Sequence, residues 1–305
     1  MVKTNFDTCV SFHINNGSFF GRMVRLDKVV NTILSRHKYP DAVAAVVAES
    51  IALAALLAST IKYKGLFTLQ TKSNGPISML AVDVTSEGVI RASAVYDEQR
   101  LINAKKLRKT EDEIEAAPHL LGNGYLAFTV DQGSPENMYQ GVVDLQGKTL
   151  AECALRYFKQ SEQIDTYLNL FLQIPENEHI GWASAGVLLQ KLPAQGGKID
   201  PDADIEEQWN EAVIFMESLR ADEVFDPELT SEEILHRLYH QNSLTTEKSK
   251  EYSFGCRCNR EKLRTVLSSM SAEEIDSLAE KGKISAECSF CGEKYNFEKG
   301  ELLKQ

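Results

Sequence analysis

Four cysteines lie within 36 residues near the end of the chain: Cys256, Cys258, Cys288 and Cys291. The run Cys288-Ser289-Phe290-Cys291-Gly292 has the form of a metal knuckle. Two thiolates reach one ion across a tight turn, and Gly292 accepts the left-handed backbone that follows. Cys256 and Cys258 are two residues apart, and in extended backbone such residues face the same side, so both sulfurs can meet the same ion. The intervening stretch is long enough for two short helices to fold back. Four thiolates around a tetrahedral ion leave no open position, so the pattern predicts one structural or redox-active Zn²⁺ per chain rather than a hydrolytic centre. The spacing differs from the usual iron–sulfur patterns.

Zinc-bound thiolate remains nucleophilic, so peroxide or hypochlorite can oxidise it, and each close pair carries its own resolving partner. A bond between residues as close as Cys256 and Cys258 reaches disulfide geometry only awkwardly, and strained disulfides are readily re-reduced. Zinc contributes roughly 10–16 kcal/mol to the folding of such units, so expelling it should unfold this one.

Other constellations are weaker. Gly147-Lys148-Thr149 lacks the correctly spaced glycine of a phosphate loop and predicts a turn with a helix start. His236 and His240 share a helix face, but Arg237 stands where a zinc protease needs glutamate, so a surface face is expected. Gly181 to Gly186 lacks the spacing of a nucleophile elbow. No catalytic constellation survives, and the chain is expected not to be an enzyme.

The elements that must position the cysteines form a small unit, residues 251–305. Asn259 can cap a helix from Arg260, Ser271 and Glu274 form a capping box, and Gly282 can end that second helix. Residues 283–288 alternate in polarity against a facing strand carrying Tyr295 and Phe297. Large apolar residues are few, so a metal staple is required.

Upstream, residues 194–250 are acidic and thinly hydrophobic. Between Asp200 and His240 there are 13 acids against Arg220 and Arg237, which equals the net charge of −11 for all 305 residues. Ala194–Asp204 reads as a flexible break, followed by helices over Glu206–Leu219 and Glu232–Gln241, the second with Thr230 and Glu233 in capping-box spacing. Trp209, Val213 and Met216 are expected to form the buried stripe. Leu244–Ser253 reads as polar and loose. Such a segment is marginal unless it packs on something else.

Residues 1–193 read as helices over Leu26–His37 and Asp41–Ile61, strands over Leu66–Lys72, Ile77–Val84, Val89–Tyr96, Tyr125–Asp131 and Tyr139–Leu145, a helix over Thr149–Ser161, and strands over Tyr167–Ile174 and Ala183–Leu192. The fold class is therefore α+β: a mostly antiparallel sheet with packed helices, a helical linker and a small zinc-binding domain. The apolar run Ala42–Ile61 contains Glu49 and reads as a buried helix rather than a membrane span. No signal peptide is visible, and six cysteines are too few for a disulfide scaffold, so a soluble, cytoplasmic protein is expected, with Cys9 and Cys153 as reduced core thiols. Without a basic stripe, nucleic acid is not an expected partner.

The cysteine segments, Phe254–Lys262 and Glu287–Phe297, resemble the heat shock protein 33 family of redox-regulated chaperones. So do Leu121–Leu126, Tyr139–Val143, Ser161–Gln163, Leu188–Gln190 and Arg237–His240. Asn259 stands where serine is common, which keeps a cap. Ala185 stands where glycine is usual, so its strand could differ locally. Cys9 and Cys153 are not part of the family's switch. The resemblance implies a substrate-binding domain (1–193), a metastable linker (194–250) and a zinc switch (251–305). It further implies that oxidation forms Cys256–Cys258 and Cys288–Cys291 disulfides, releases zinc and unfolds the linker. The activated protein, as a homodimer, then holds unfolding client proteins without ATP. The rival reading is a zinc-ribbon adaptor for a fixed protein or nucleic-acid partner.

Overall fold

A computed structural model describes residues 6–106, 117–134, 136, 138–175, 180–192, 204–280 and 282–302. The chain divides into two compact units, Met1–Phe254 and Gly255–Gln305. The predicted break over Ala194–Asp204 lies, up to residue 203, outside the described residues.

The first unit opens with two strands that the sequence reading did not assign, β1 (Thr8–Ile14) and β2 (Phe19–Leu26). Helices α1 (Lys28–Ser35) and α2 (Asp41–Thr60) follow, then the hairpin strands β3 (Leu66–Ser73), β4 (Ile77–Thr85) and β5 (Val89–Tyr96). Two unassigned helices come next, α3 (Glu98–Lys106) and α4 (Ala117–Leu121). The unit continues with β6 (Gly124–Asp131), β7 (Met138–Asp144), α5 (Leu150–Tyr157), β8 (Thr166–Gln173) and β9 (Ala183–Lys191). Thr149 caps α5 by accepting from Glu152 N, which makes Gly147-Lys148-Thr149 the expected turn and helix start.

The acidic segment supplies α6 (Ile205–Glu217), α7 (Ala221–Val224) and α8 (Ser231–Tyr239), with the Thr230–Glu233 capping box formed. Leu244–Ser253 is not loose. It contributes the short strands β10 (Thr245–Thr246) and β11 (Lys250–Glu251), both paired with β1, and leads into β12 (Ser253–Phe254), which pairs with β5. Its polarity suits a sheet edge, where one side of each strand faces solvent.

One sheet runs β10-β1-β2-β9-β8, with β11 also on β1; the other runs β12-β5-β4-β3-β6-β7. All pairings are antiparallel except β12 with β5. Pairing through Ala185 and Gly186 is unbroken on both sides of β9. Helix α2 packs against both sheets. It is buried on nearly every side, as a helix apolar all round must be. It is also the one helix among the described residues long and apolar enough to cross a membrane, and most of it is buried in the fold.

The first sheet is buried on both faces. Cys9, Val24, Leu26 and Leu188 point into the core around α2. Their strand neighbours Val10, Phe12, Met23, Val187 and Leu189 point the other way, as the period of two demands. Gly21 is required there, because a Cβ would lie 2.0 Å from Phe12 Cζ.

Candidate functional site: a four-cysteine centre and a covered sheet face

The second unit contains α9 (Arg260–Ser268), α10 (Ala272–Leu278), the hairpin β13 (Lys283–Glu287) and β14 (Lys294–Glu298), and α11 (Lys299–Leu302). Asn259 caps α9 by accepting from Lys262 N at 2.8 Å, and Ser271 with Glu274 closes the predicted capping box. The buried apolar cluster is small: Leu267, Ile275, Ile284, Phe297 and Leu302.

The β13–β14 turn forms the knuckle. Gly292 N donates to Cys288 O at 2.8 Å, with Gly292 at the left-handed φ of 71°. The backbone N–H groups of Phe290 and Cys291 point at the Cys288 sulfur, and that of Glu293 at Cys291. Cys256 and Cys258 approach from the segment before α9. All four sulfurs lie within 4.8 Å of one another. Cys256 Sγ is 3.7 Å from Cys288 Sγ, and Cys258 Sγ is 3.4 Å from Cys291 Sγ. Tetrahedral Zn–S bonds of ~2.3 Å place sulfurs about 3.8 Å apart, so the donor set fits one ion of that kind. None of the four is disulfide-bonded. Burial pushes the Cys288 and Cys291 thiols up. A bound cation reverses that balance, because it coordinates the deprotonated sulfur. Tyr295 Oη stands 3.4 Å from Cys258 Sγ, an outer-shell partner not singled out from the sequence.

Cys9 and Cys153 belong to the first unit, where both are buried and neither is disulfide-bonded. Burial raises both thiols, Cys153 to about 11, which makes them unreactive core residues. His236 and His240 are exposed neighbours on α8 and its end, with ring centroids 5.7 Å apart.

The second candidate surface is the outer face of the first sheet. Helices α6 to α8 cover it with Ala212, Met216, Leu219, Val224, Ile234, Leu235 and Tyr239. Trp209 meets Phe19 edge-on at 5.4 Å, and Tyr239 stacks on Phe12. Val213, expected in the stripe, is half-buried and outside this cluster; Ala212 takes its place. A further anchor is Arg25, whose guanidinium donates to the carbonyls of Val224, Asp226 and Leu229.

The model of the family described as Hsp33 protein matches residues 7–298. The chain belongs to the Hsp33 family. A 33 kDa chaperonin of Caulobacter vibrioides is 31% identical over 295 residues, covering 96% of this chain and 95% of its own. Another, from Pseudomonas fluorescens, is 34% identical over 286 residues, covering 93% and 88%. The fold resembles the crystal structure of the Thermotoga maritima heat shock protein 33 homolog, with a TM-score of 0.78, 21% identity, and coverage of 97% and 96%. This Hsp33-family chain is thus a member of a chaperone family, with an α+β fold and a C-terminal cysteine cluster able to hold a metal ion.

Proposed function

We propose that this chain is a redox-regulated, ATP-independent holdase of the cytoplasm. In the reduced form one Zn²⁺ sits on Cys256, Cys258, Cys288 and Cys291, and the chaperone is inactive. Oxidation forms the Cys256–Cys258 and Cys288–Cys291 disulfides. Each bond takes two electrons from two thiolates, and peroxide, accepting two protons, leaves as two waters. Zinc loses its ligands and departs, and the small unit loses the staple its sparse core needs. The linker, 194–250, then unfolds from the domain formed by 1–193. The exposed face binds unfolding clients, and the active form is a homodimer.

The observation that carries this reading is the covered sheet face. Phe12, Met23, Val187 and Leu189 are fully buried, and α6 to α8 lie over them. Removing those helices leaves a contiguous apolar surface of the kind that captures non-native chains. The helices are also poor at standing alone, with many acids and short apolar stripes.

The test is zinc content and suppression of client aggregation, measured before and after peroxide treatment at mildly elevated temperature. Expected are one zinc and little activity before treatment, and zinc loss with strong activity after it. Activity that is the same in both states overturns the redox reading.

A further inference from the structure

Beside the last turn of α2, at Ala58, Ser59 and Ile61, the fold leaves an open cavity of about 510 Å³. Four cations line it: Arg22, Lys62, Lys64 and Lys250; no carboxylate does. In a chain with a net charge of −11 that concentration of positive charge requires a reason.

The four come from separate parts of the fold. Arg22 lies on β2, opposite Ser11 of β1, and Lys250 on β11 pairs with Cys9 of the same strand. Lys62 and Lys64 follow the end of α2. None of the four forms an ion pair among the described residues. The Cys9 thiol, which lines the same cavity, is the titratable group acting most strongly on both Arg22 and Lys250, followed by Glu247 on Arg22 and Glu87 on Lys250. Arg22 is held in place, with its guanidinium 3.6 Å from the Phe20 ring centroid and hydrogen bonds to the carbonyls of Ser59 and Gly21. Those bonds use two of its five N–H donors. Lys250 lies over the rings of Tyr63 and Tyr252. Burial lowers the pKa of both Arg22 and Lys250, because each positive charge is partly removed from water.

We propose that this cavity binds a compact, multivalent phosphate-type anion. Arg22 supplies a fixed planar donor group, and the three lysines supply mobile ammonium groups, the combination that recognises adjacent phosphoryl oxygens. The cavity is too small and too local to track a polynucleotide backbone, which needs an extended basic stripe. Lys250 belongs to the segment through which the linker returns to the sheet. An anion bridging it to Arg22, Lys62 and Lys64 therefore favours the docked state, since a ligand stabilises the conformation it binds best. That consequence rests on the reading under Proposed function; the binding site itself does not.

The reduced, zinc-loaded full chain is titrated calorimetrically with inorganic pyrophosphate at about physiological ionic strength, where weak surface attraction is screened. A nucleoside diphosphate is titrated in parallel, and whichever binds more tightly identifies the source of the phosphate groups. Saturable one-to-one binding is expected, weakened about tenfold or more in Lys62→Gln/Lys64→Gln and in Lys250→Gln. The first two lysines are exposed, so that double variant should fold normally, with thermal melting as the check. Bound anion should also slow proteolysis within 244–254. Absence of saturable binding by either anion, or equal binding in the lysine variants, overturns the site. Binding that persists in a chain whose activity ignores oxidation leaves the site standing and removes the redox reading instead.

Discussion

Arg25 Nε donates to the carbonyl oxygen of Val224 at 2.7 Å, joining the second strand to a residue 199 positions further along. The same guanidinium reaches Leu229 O at 2.6 Å and Asp226 O at 2.8 Å, and its side chain is fully buried. Burial lowers its pKa to about 10, so it stays charged at neutral pH, helped by Asp226 and Glu232. A buried charge is tolerable only when its donors are satisfied, and here the α7–α8 connection satisfies them. Arg25→Ala leaves three carbonyls without this donor and should cost about 3–5 kcal/mol of docking. Arg25→Lys should rescue little, because an ammonium cannot reproduce the planar fork. Limited proteolysis of the reduced, zinc-loaded variants should show fast cutting within 204–241. Parental cleavage rates in both would refute the clamp.

The helix face that packs makes a second expectation specific. Ala212 is fully buried in the cluster over the sheet, whereas Val213 is half-buried beside it. Ala212→Asp places an unpaired carboxylate in that cluster and should lower the oxidant dose needed for activity. Val213→Asp should do so less. Dose–response curves of aggregation suppression against peroxide decide this, and an equal or reversed order rejects the assignment of the packed face.

Cys288→Ser removes one thiolate from a set of four. Zinc content should fall sharply from one per chain, and amide exchange should accelerate across 255–299, because the five-residue apolar cluster cannot hold the unit alone. Metal analysis showing full zinc retention would exclude the four-ligand centre.

The order of oxidation is open to a direct test. Cys288–Cys291 should form first, since the knuckle turn already brings these two residues together, and the strained Cys256–Cys258 bond should follow as the linker unfolds. Sulfur contacts also run between the two pairs, Cys256 to Cys288 at 3.7 Å and Cys258 to Cys291 at 3.4 Å. Mass spectrometry of trapped intermediates distinguishes the possibilities. A dominant Cys258–Cys291 bond would defeat the proposed pairing.

Glu49 offers a pH signature of the core. Burial in α2 lifts its carboxyl from 4.5 to about 7. Because the folded value lies above the unfolded one, the stability linked to its proton is fully present below pH 4.5 and is lost as pH rises through about 7. Glu49→Gln resembles the protonated form, so it should change stability little at about pH 5 and add up to about 3 kcal/mol at about pH 8. Thermal melts at the two pH values report this, and the same increment at both would contradict a titrating Glu49.

The C-terminal cysteine unit was the most legible part of the chain, because knuckle, caps and hairpin are local signals within a few residues of each other. The hairpins from Leu66 to Tyr96 were legible for the same reason. Strands β1 and β2 were not assigned. They place Arg22 and Arg25 among residues that also serve two opposed cores, so neither shows a simple apolar–polar alternation. Nothing near Arg25 in sequence foretells acceptors about 200 residues away. The polar segment from Leu244 to Ser253 looked unstructured because edge pairing uses its backbone and asks little of its side chains. Helix α3 is polar along most of its length and gave no periodic signal.

A sheet buried on both faces by its own chain implies a competition. If α6 to α8 occupy the surface that clients use, the resting protein is already saturated with a ligand it carries on a tether. Such a ligand is present at an effective concentration of the order of millimolar whatever the dilution of the protein. A client must then outbid an internal occupant rather than find a vacant groove, and weak apolar contacts from folded bystanders fail. The same tether sets the route back. On the redox reading proposed above, restoring the thiols and the metal would let the segment fold again and compete with bound chains, which would time release to recovery of the reduced state.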